Sequence, residues 1–147
     1  MSDLFHTANQ VRARLRELAN PQIAEHSQRF FKTGPGEYGE GDQFRGIRVP
    51  VQRREAKRAR NLPLDEVLNL LRTSVHEERL TALIILVNKF RRAADEEQQS
   101  IYDAYLANTK YINNWDLVSL GCCCRRMQRF GEHHSLSGSP GQRSRRI

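Results

Sequence analysis

The stretch from residue 76 to residue 93 constrains the fold more than any other part of the chain. Large apolar residues recur in it at spacings that place them on nearly every face of a helix: Leu80, Leu83, Ile84, Ile85, Leu86, Val87 and Phe90. A helix that is apolar on most sides has to be covered by neighbouring elements. The sequence therefore predicts a central helix with other helices packed around it.

The segments around this helix also have helical periodicity. Apolar residues recur at every third or fourth position in residues 3–19 and 64–71. Pro21, Pro50 and Pro63 mark helix starts, because proline is tolerated in the first turn, and Asp95 opens an acidic run that suits a helix N-terminus. Residues 33–42, with four glycines and a proline, predict a loop. No segment alternates as a strand does, so we predict an all-α fold of about six or seven short helices, paired antiparallel in an α-solenoid.

The basic charge of the chain is concentrated in two places. The net charge is +7, and residues 121–147 account for +5 of it. Within the rest of the chain, residues 45–60 carry seven basic residues against Glu55, for +6. A patch of this kind can neutralise phosphates and release counterions. The simpler alternative is a solvated helix face.

The segment after residue 120 does not continue the helical pattern. From residue 131 onward, Leu136 and Ile147 are the only large apolar residues, so this part buries too little surface to offset the entropy of ordering. We predict a helical domain over residues 1–120 and a disordered tail over residues 121–147. The tail is either a basic arm for nucleic acid or an out-of-frame product in place of the native continuation.

Several classes of protein are disfavoured. No run approaches eighteen apolar residues, and the N-terminus lacks the pattern of a signal peptide, so we expect a cytoplasmic protein without a membrane span. The three cysteines, Cys122, Cys123 and Cys124, are adjacent and poorly placed to pair with each other. Neither they nor His133-His134 have the spacing of a metal site, so we expect no metal and no cofactor.

The only Trp of the chain lies in the segment Tyr111–Val118, where Asp116 follows Trp115 directly. An aromatic face can lie against a cationic ring, and a carboxylate can stabilise a developing positive charge. A core aromatic and an ordinary first-turn acid are the alternatives. Residues 44–54, which carry Phe44, Gly46, Pro50 and several arginines, predict a loop that enters a basic helix.

With Gln28–Lys32 and His76–Arg79, these two segments resemble the DNA alkylation repair family, in its HEAT-like, AlkD-type DNA glycosylases. The resemblance covers about residues 20–118. It implies a HEAT-like solenoid that hydrolyses the N-glycosidic bond of N3- or N7-alkylated purines in duplex DNA. The substrate is already cationic, so the leaving group needs no general acid.

The resemblance also implies roles for particular residues. Trp115 matches an aromatic that faces the lesion, and Asp116 matches the acid after it. The family's catalytic Asp lies one helical turn beyond that Trp, where this chain has Ser119. Phosphate contacts are expected from the basic segment, through Arg45, Arg48, Arg53, Arg54, Lys57 and Arg58. We expect a monomer that binds duplex DNA containing alkylated purines.

The sequence leaves an alternative function open, and it also predicts the position of His76. Since a hydroxyl at position 119 cannot supply negative charge, the chain could instead be a non-enzymatic helical-repeat module that binds nucleic acid or protein, or an inactive fragment. His76 heads a helix beside Glu77 and Glu78, and we expect it at the surface near the helix cap.

Overall fold

The computed structural model describes residues 4–31, 33–37 and 40–112. These residues form six α-helices and a final 3-10 turn: α1 (Ala8–Glu17), α2 (Pro21–Phe30), α3 (Val49–Arg58), α4 (Leu64–Leu71), α5 (His76–Arg92), α6 (Asp95–Ala107) and the turn Thr109–Tyr111. Within these ranges no strand forms, and one isolated parallel bridge joins Gln43 to Val75. The predicted all-α fold is confirmed.

The helix starts are capped by the residues that the sequence provides for them. The Thr7 side chain accepts a hydrogen bond from the Gln10 N–H, and the Gln10 side chain reciprocates, so α1 begins with a capping box. The Asn20 side chain accepts from the N–H groups of the first turn of α2, which has Pro21 at its first position. α1 is shorter than the periodicity of residues 3–19 predicted, and it begins at Ala8 because the backbone of Thr7 is extended.

α5 is the centre of the described fold, as predicted. It packs against α3, α4 and α6. Leu83, Ile85, Leu86 and Phe90 are at most 1% exposed, although they lie on different sides of the helix. The apolar residues on the different sides of α5 are therefore buried by the neighbouring helices.

α3 and α5 run parallel to each other. Near the start of α3, the Gln52 side chain accepts a hydrogen bond from the Thr81 hydroxyl (3.3 Å). Just after α3 ends, the Arg60 carbonyl accepts one from Lys89 Nζ (3.4 Å). Early positions of α3 thus contact early positions of α5, and late positions contact late ones. α4 connects the two helices and packs against α5. This arrangement of successive helices is that of stacked helical hairpins, as in a solenoid.

None of the helices in the described ranges is both long and apolar enough to cross a membrane.

Candidate functional site

The loop that precedes α3 is fastened to the first turn of α5. The His76 backbone N–H donates to the Gln43 carbonyl (2.8 Å). The Glu77 carboxylate accepts from the backbone N–H groups of Arg45 and Gly46, both at 3.0 Å. Hydrogen bonds to a buried carboxylate are among the stronger ones in proteins. The position of residues 43–46, and so of the start of α3, is therefore set by α5.

The same loop also contacts the first turn of α2 at Gly46. The Asn20 N–H donates to the Arg45 carbonyl (2.8 Å). Gly46 has a φ of +78°, and a Cβ at this position would lie 2.0 Å from the Asn20 carbonyl oxygen and 2.5 Å from the Ala24 nitrogen. Only glycine combines this backbone conformation with so close an approach. The Phe-Arg-Gly-Ile segment is thus clamped between α2 and α5.

Arg79 connects the loop to the far end of the described chain. Its Nη2 lies 2.5 Å from Asp42 Oδ2, and its Nη1 donates to the Tyr111 carbonyl (3.0 Å). Burial would raise the pKa of Asp42, but the hydrogen bond from His76 and the charge of Arg79 outweigh it and hold the pKa below its ordinary value. Asp42 is therefore a carboxylate at neutral pH. One guanidinium thus joins the loop to Tyr111, four residues before Trp115.

An aromatic cluster covers the first turn of α5. Phe31 and Phe44 stack with ring centroids 5.2 Å apart, and His76 lies 4.8 Å from Phe44 and 5.1 Å from Phe31. The prediction of a surface position for His76 is wrong, since it is 3% exposed. The reason is that two rings from the preceding segments cover it. The cluster lines a cavity of about 330 Å³ that Arg48 borders.

The predicted phosphate-binding residues fall into two groups, of which the first serves the fold. Arg45 is half-buried, with Nη2 3.2 Å from Glu78 Oε1. Arg58 is also half-buried, with Nη1 2.8 Å from Glu55 Oε2 and its guanidinium 4.6 Å from the centre of the Phe5 ring. These two arginines balance the charge of buried carboxylates.

The second group is open to solvent. Arg54 is exposed, although its Nε lies 3.1 Å from Glu55 Oε1. Arg48, Arg53 and Lys57 are exposed and form no ion pair within the described part of the chain. These are the cations of the patch that are best placed to meet an external anion.

Sequence reasoning missed a contribution from α5. Arg53 and Lys57 line a cavity of about 250 Å³ together with Arg91, from the last turn of α5. The cluster of cations at the end of α5 was the available signal. Its relevance depends on the parallel packing of α3 and α5, which no local pattern reveals.

A family model described as DNA alkylation repair enzyme matches residues 11–135. The match spans most of the chain, including the loop before α3, the start of α5 and the segment Tyr111–Val118. The chain belongs to the DNA alkylation repair enzyme family. Neither a curated protein nor a solved structure matches it.

Membership of the DNA alkylation repair enzyme family gives the protein a role in DNA repair, with DNA as its partner. The matched range begins before the motifs that carry the resemblance and extends past residue 120. Trp115, Asp116, Ser119 and the three cysteines lie outside the described residues, as does the predicted tail. The roles predicted for them stay predictions.

Proposed function

We propose that this member of the DNA alkylation repair enzyme family binds duplex DNA and hydrolyses the N-glycosidic bond of N3- or N7-alkylated purines. The observation that carries the proposal is the Arg79 link. It ties the loop leading into the basic helix α3 to Tyr111, where the segment with Trp115 begins. The family match includes both segments.

The chemistry suits the residues of that segment. An N7- or N3-alkylated purine carries a positive charge, so its bond to the sugar breaks with the electron pair moving to the base, which leaves neutral. Water adds to the anomeric carbon and loses a proton. A site for this reaction needs an aromatic face beside the base, for which Trp115 is suited. It also needs negative charge near the sugar, and Asp116 is the nearest acid in sequence.

The exposed cations support the binding part of the proposal. Arg48 lies at the N-cap of α3, and Arg53, Arg54 and Lys57 follow on the same helix. Lys and Arg side chains that contact phosphates supply most of the sequence-independent affinity for DNA. Arg45 and Arg58 are held in ion pairs with buried carboxylates, so the binding part of the proposal rests on the four exposed cations.

The residue at position 119 determines how fast we expect the chain to excise alkylated bases. The resemblance places the family's catalytic Asp at this position, and a hydroxyl supplies no negative charge there. Loss of one preorganised electrostatic group typically costs about 10²–10³ in rate. We therefore expect slow excision by the unaltered chain and faster excision after Ser119→Asp.

The test is release of N7-methylguanine and N3-methyladenine from an alkylated duplex, followed by chromatography of the free bases. The unaltered chain, Ser119→Asp and Trp115→Ala are compared at equal concentration, and spontaneous depurination is subtracted. Ser119→Asp should exceed the unaltered chain, and Trp115→Ala should fall to background. Fast release by the unaltered chain, unchanged in Trp115→Ala, would contradict the proposed roles.

Ser119 also favours a second candidate, a binding module without catalysis. In that case neither the unaltered chain nor Ser119→Asp releases a base. Both would still bind an alkylated duplex more tightly than the same duplex without the lesion. An anisotropy titration of the two duplexes distinguishes the candidates.

A further inference from the structure

The cavity of about 330 Å³ beside the aromatic cluster lies between α2, the start of α3 and the first turn of α5. We call it the α2 cavity. Ile23, Ser27 and Phe31 line it from α2 and its C-cap, and their spacing of four residues places them on one face of the helix. No residue of α2 itself is buried. The apolar face of α2 is therefore turned toward a space that the described side chains do not fill.

The floor of the α2 cavity is apolar and partly aromatic. Ile47, His76 and Leu80 line it and are at most 7% exposed. The rings of Phe31 and Phe44, which also line it, are stacked with an angle of 10° between their planes. Ligand sites are typically cavities of about 300–1,000 Å³ with mostly apolar and aromatic walls and a few polar groups. The α2 cavity lies at the small end of this range, so it suits a small planar ring system.

Two polar side chains at the cavity are already paired within the chain. The two carboxylate oxygens of Glu77 accept from the backbone N–H groups of Arg45 and Gly46, both at 3.0 Å. The Gln52 side chain donates to a backbone carbonyl (2.8 Å) and accepts from the Thr81 hydroxyl (3.3 Å). These groups are not available to the polar edge of a nucleobase, whose donors and acceptors would be left unpaired. The walls therefore favour an apolar ring over a base.

The rim of the α2 cavity is cationic. Arg48 is exposed there, and it is the one Lys or Arg among the lining residues in the described part of the chain. α3 begins at this rim with neither a side-chain cap nor an acid in its first turn, so the positive end of its dipole adds to the charge of Arg48. A guanidinium holds a carboxylate through two parallel N–H donors. An anionic group is thus favoured at the exposed rim and not at the buried floor, where Glu77 lies.

We propose that the α2 cavity binds a small aromatic carboxylate, with its ring against the apolar face of α2 and its carboxylate on Arg48. The ring would cover the face of α2 that the protein leaves partly exposed. Binding at this site requires neither DNA nor an alkylated base, so it is tested without either.

The experiment is an isothermal calorimetric titration of the unaltered chain with 2-naphthoate. Two matched compounds separate the contributions of charge and ring. The neutral 2-naphthamide keeps the ring and should bind about 3- to 10-fold more weakly, because it loses a charge-assisted pair at a partly exposed site. Decahydro-2-naphthoate keeps the charge and should bind about 2- to 10-fold more weakly, because its saturated rings do not stack.

Two variants locate the site, and each has a matched control. Arg48→Gln should weaken 2-naphthoate binding about 3- to 10-fold and leave 2-naphthamide binding unchanged. Its control is Arg53→Gln, which removes an exposed cation of α3 that does not line this cavity. Ser27→Leu fills the cavity from α2 and should weaken both compounds about tenfold or more. Its control is His26→Leu, at an exposed position of α2 that does not line the cavity.

A readout without any substitution places the ligand directly. Nuclear Overhauser effects should connect the ring protons of 2-naphthoate with the methyl groups of Ile23 and Leu80, which line the cavity from α2 and α5. Binding without these effects would show that the compound lies elsewhere. This measurement keeps the site testable if Ser27→Leu does not fold.

Four other outcomes would overturn the site. The first is that the unaltered chain does not bind 2-naphthoate, or binds it no more tightly than 2-naphthamide. The second is equal affinity of Arg48→Gln and Arg53→Gln. The third is tighter binding of 2′-deoxyadenosine 5′-phosphate, which would indicate a nucleotide site. The fourth is binding by Trp115→Ala alone, which would indicate that the segment with Trp115 occupies the cavity.

Discussion

Replacing Gly46 with alanine should release the loop that leads into α3, and Gly36 provides a matched control. Both glycines have a φ of +78°. A Cβ on Gly46 would lie 2.0 Å from the Asn20 carbonyl oxygen, whereas a Cβ on Gly36 would meet nothing within 4 Å. The two substitutions therefore share the cost of the backbone conformation and differ in the steric contact.

The magnitudes follow from this comparison. A left-handed conformation costs a residue with a Cβ about 1–2 kcal/mol, so Gly36→Ala should lower the free energy of unfolding by about that amount. The entropy that alanine removes from the unfolded chain offsets part of this cost equally at both positions. Overpacking adds about 1–3 kcal/mol at Gly46. If the loop moves away to relieve the clash, the hydrogen bond from the Gly46 N–H to Glu77 is weakened as well.

Urea unfolding followed by circular dichroism measures both variants. Gly46→Ala should be less stable than Gly36→Ala by at least about 1 kcal/mol, the lower end of the overpacking cost. It should also bind DNA more weakly, since the same loop carries Arg45 and leads to Arg48. Equal stability of the two variants would refute the clamped loop between α2 and α5.

Two further predictions concern the buried pair of Asp42 and Arg79. Arg79→Met should lower the free energy of unfolding by about 3–5 kcal/mol in urea unfolding, because it leaves a buried carboxylate without its cation; a loss below about 1 kcal/mol, the scale of a surface pair, would contradict the burial. Because the pKa of Asp42 is lowered in the folded state, its ionised carboxylate stabilises the fold. This contribution to the free energy of unfolding is fully present above the ordinary pKa of 3.8 and is lost as the pH falls through the lower pKa of the folded state. Between about pH 5 and 2, the free energy of unfolding of Asp42→Asn should therefore fall less steeply with pH than that of the unaltered chain. Identical slopes for the two proteins would contradict the lowered pKa of Asp42.

Local patterns were enough to predict the helices and the centre of the fold. The all-round apolar sequence of α5 predicted its burial, and Asn20-Pro21 predicted the start of α2, because capping and burial of a helix depend on residues close in sequence. The helix ends were less accurate, since an end is set by tertiary contacts. The loop that follows α2, for example, folds back onto the first turn of α5.

The environment of each cation in the basic patch could not be predicted in this way. Arg45 and Arg53 look alike in sequence, yet Arg45 pairs with Glu78, which lies 33 residues away. His76 was expected at the surface and is buried because Phe31 and Phe44 cover it. Arg91 lines a cavity with Arg53 and Lys57 because α3 and α5 pack in parallel. In each case the decisive partner is distant in the chain.

We propose that the segment with Trp115 and the basic surface form one site for an alkylated duplex. Trp115 is the only Trp of the chain, so its fluorescence reports on that segment alone. The most direct measurement titrates the protein with a duplex containing one N7-methylguanine and, separately, with the same duplex unmodified. Stronger quenching by the alkylated duplex is expected, because the cationic base lies against the indole. Identical titrations, with both duplexes bound, would contradict the claim.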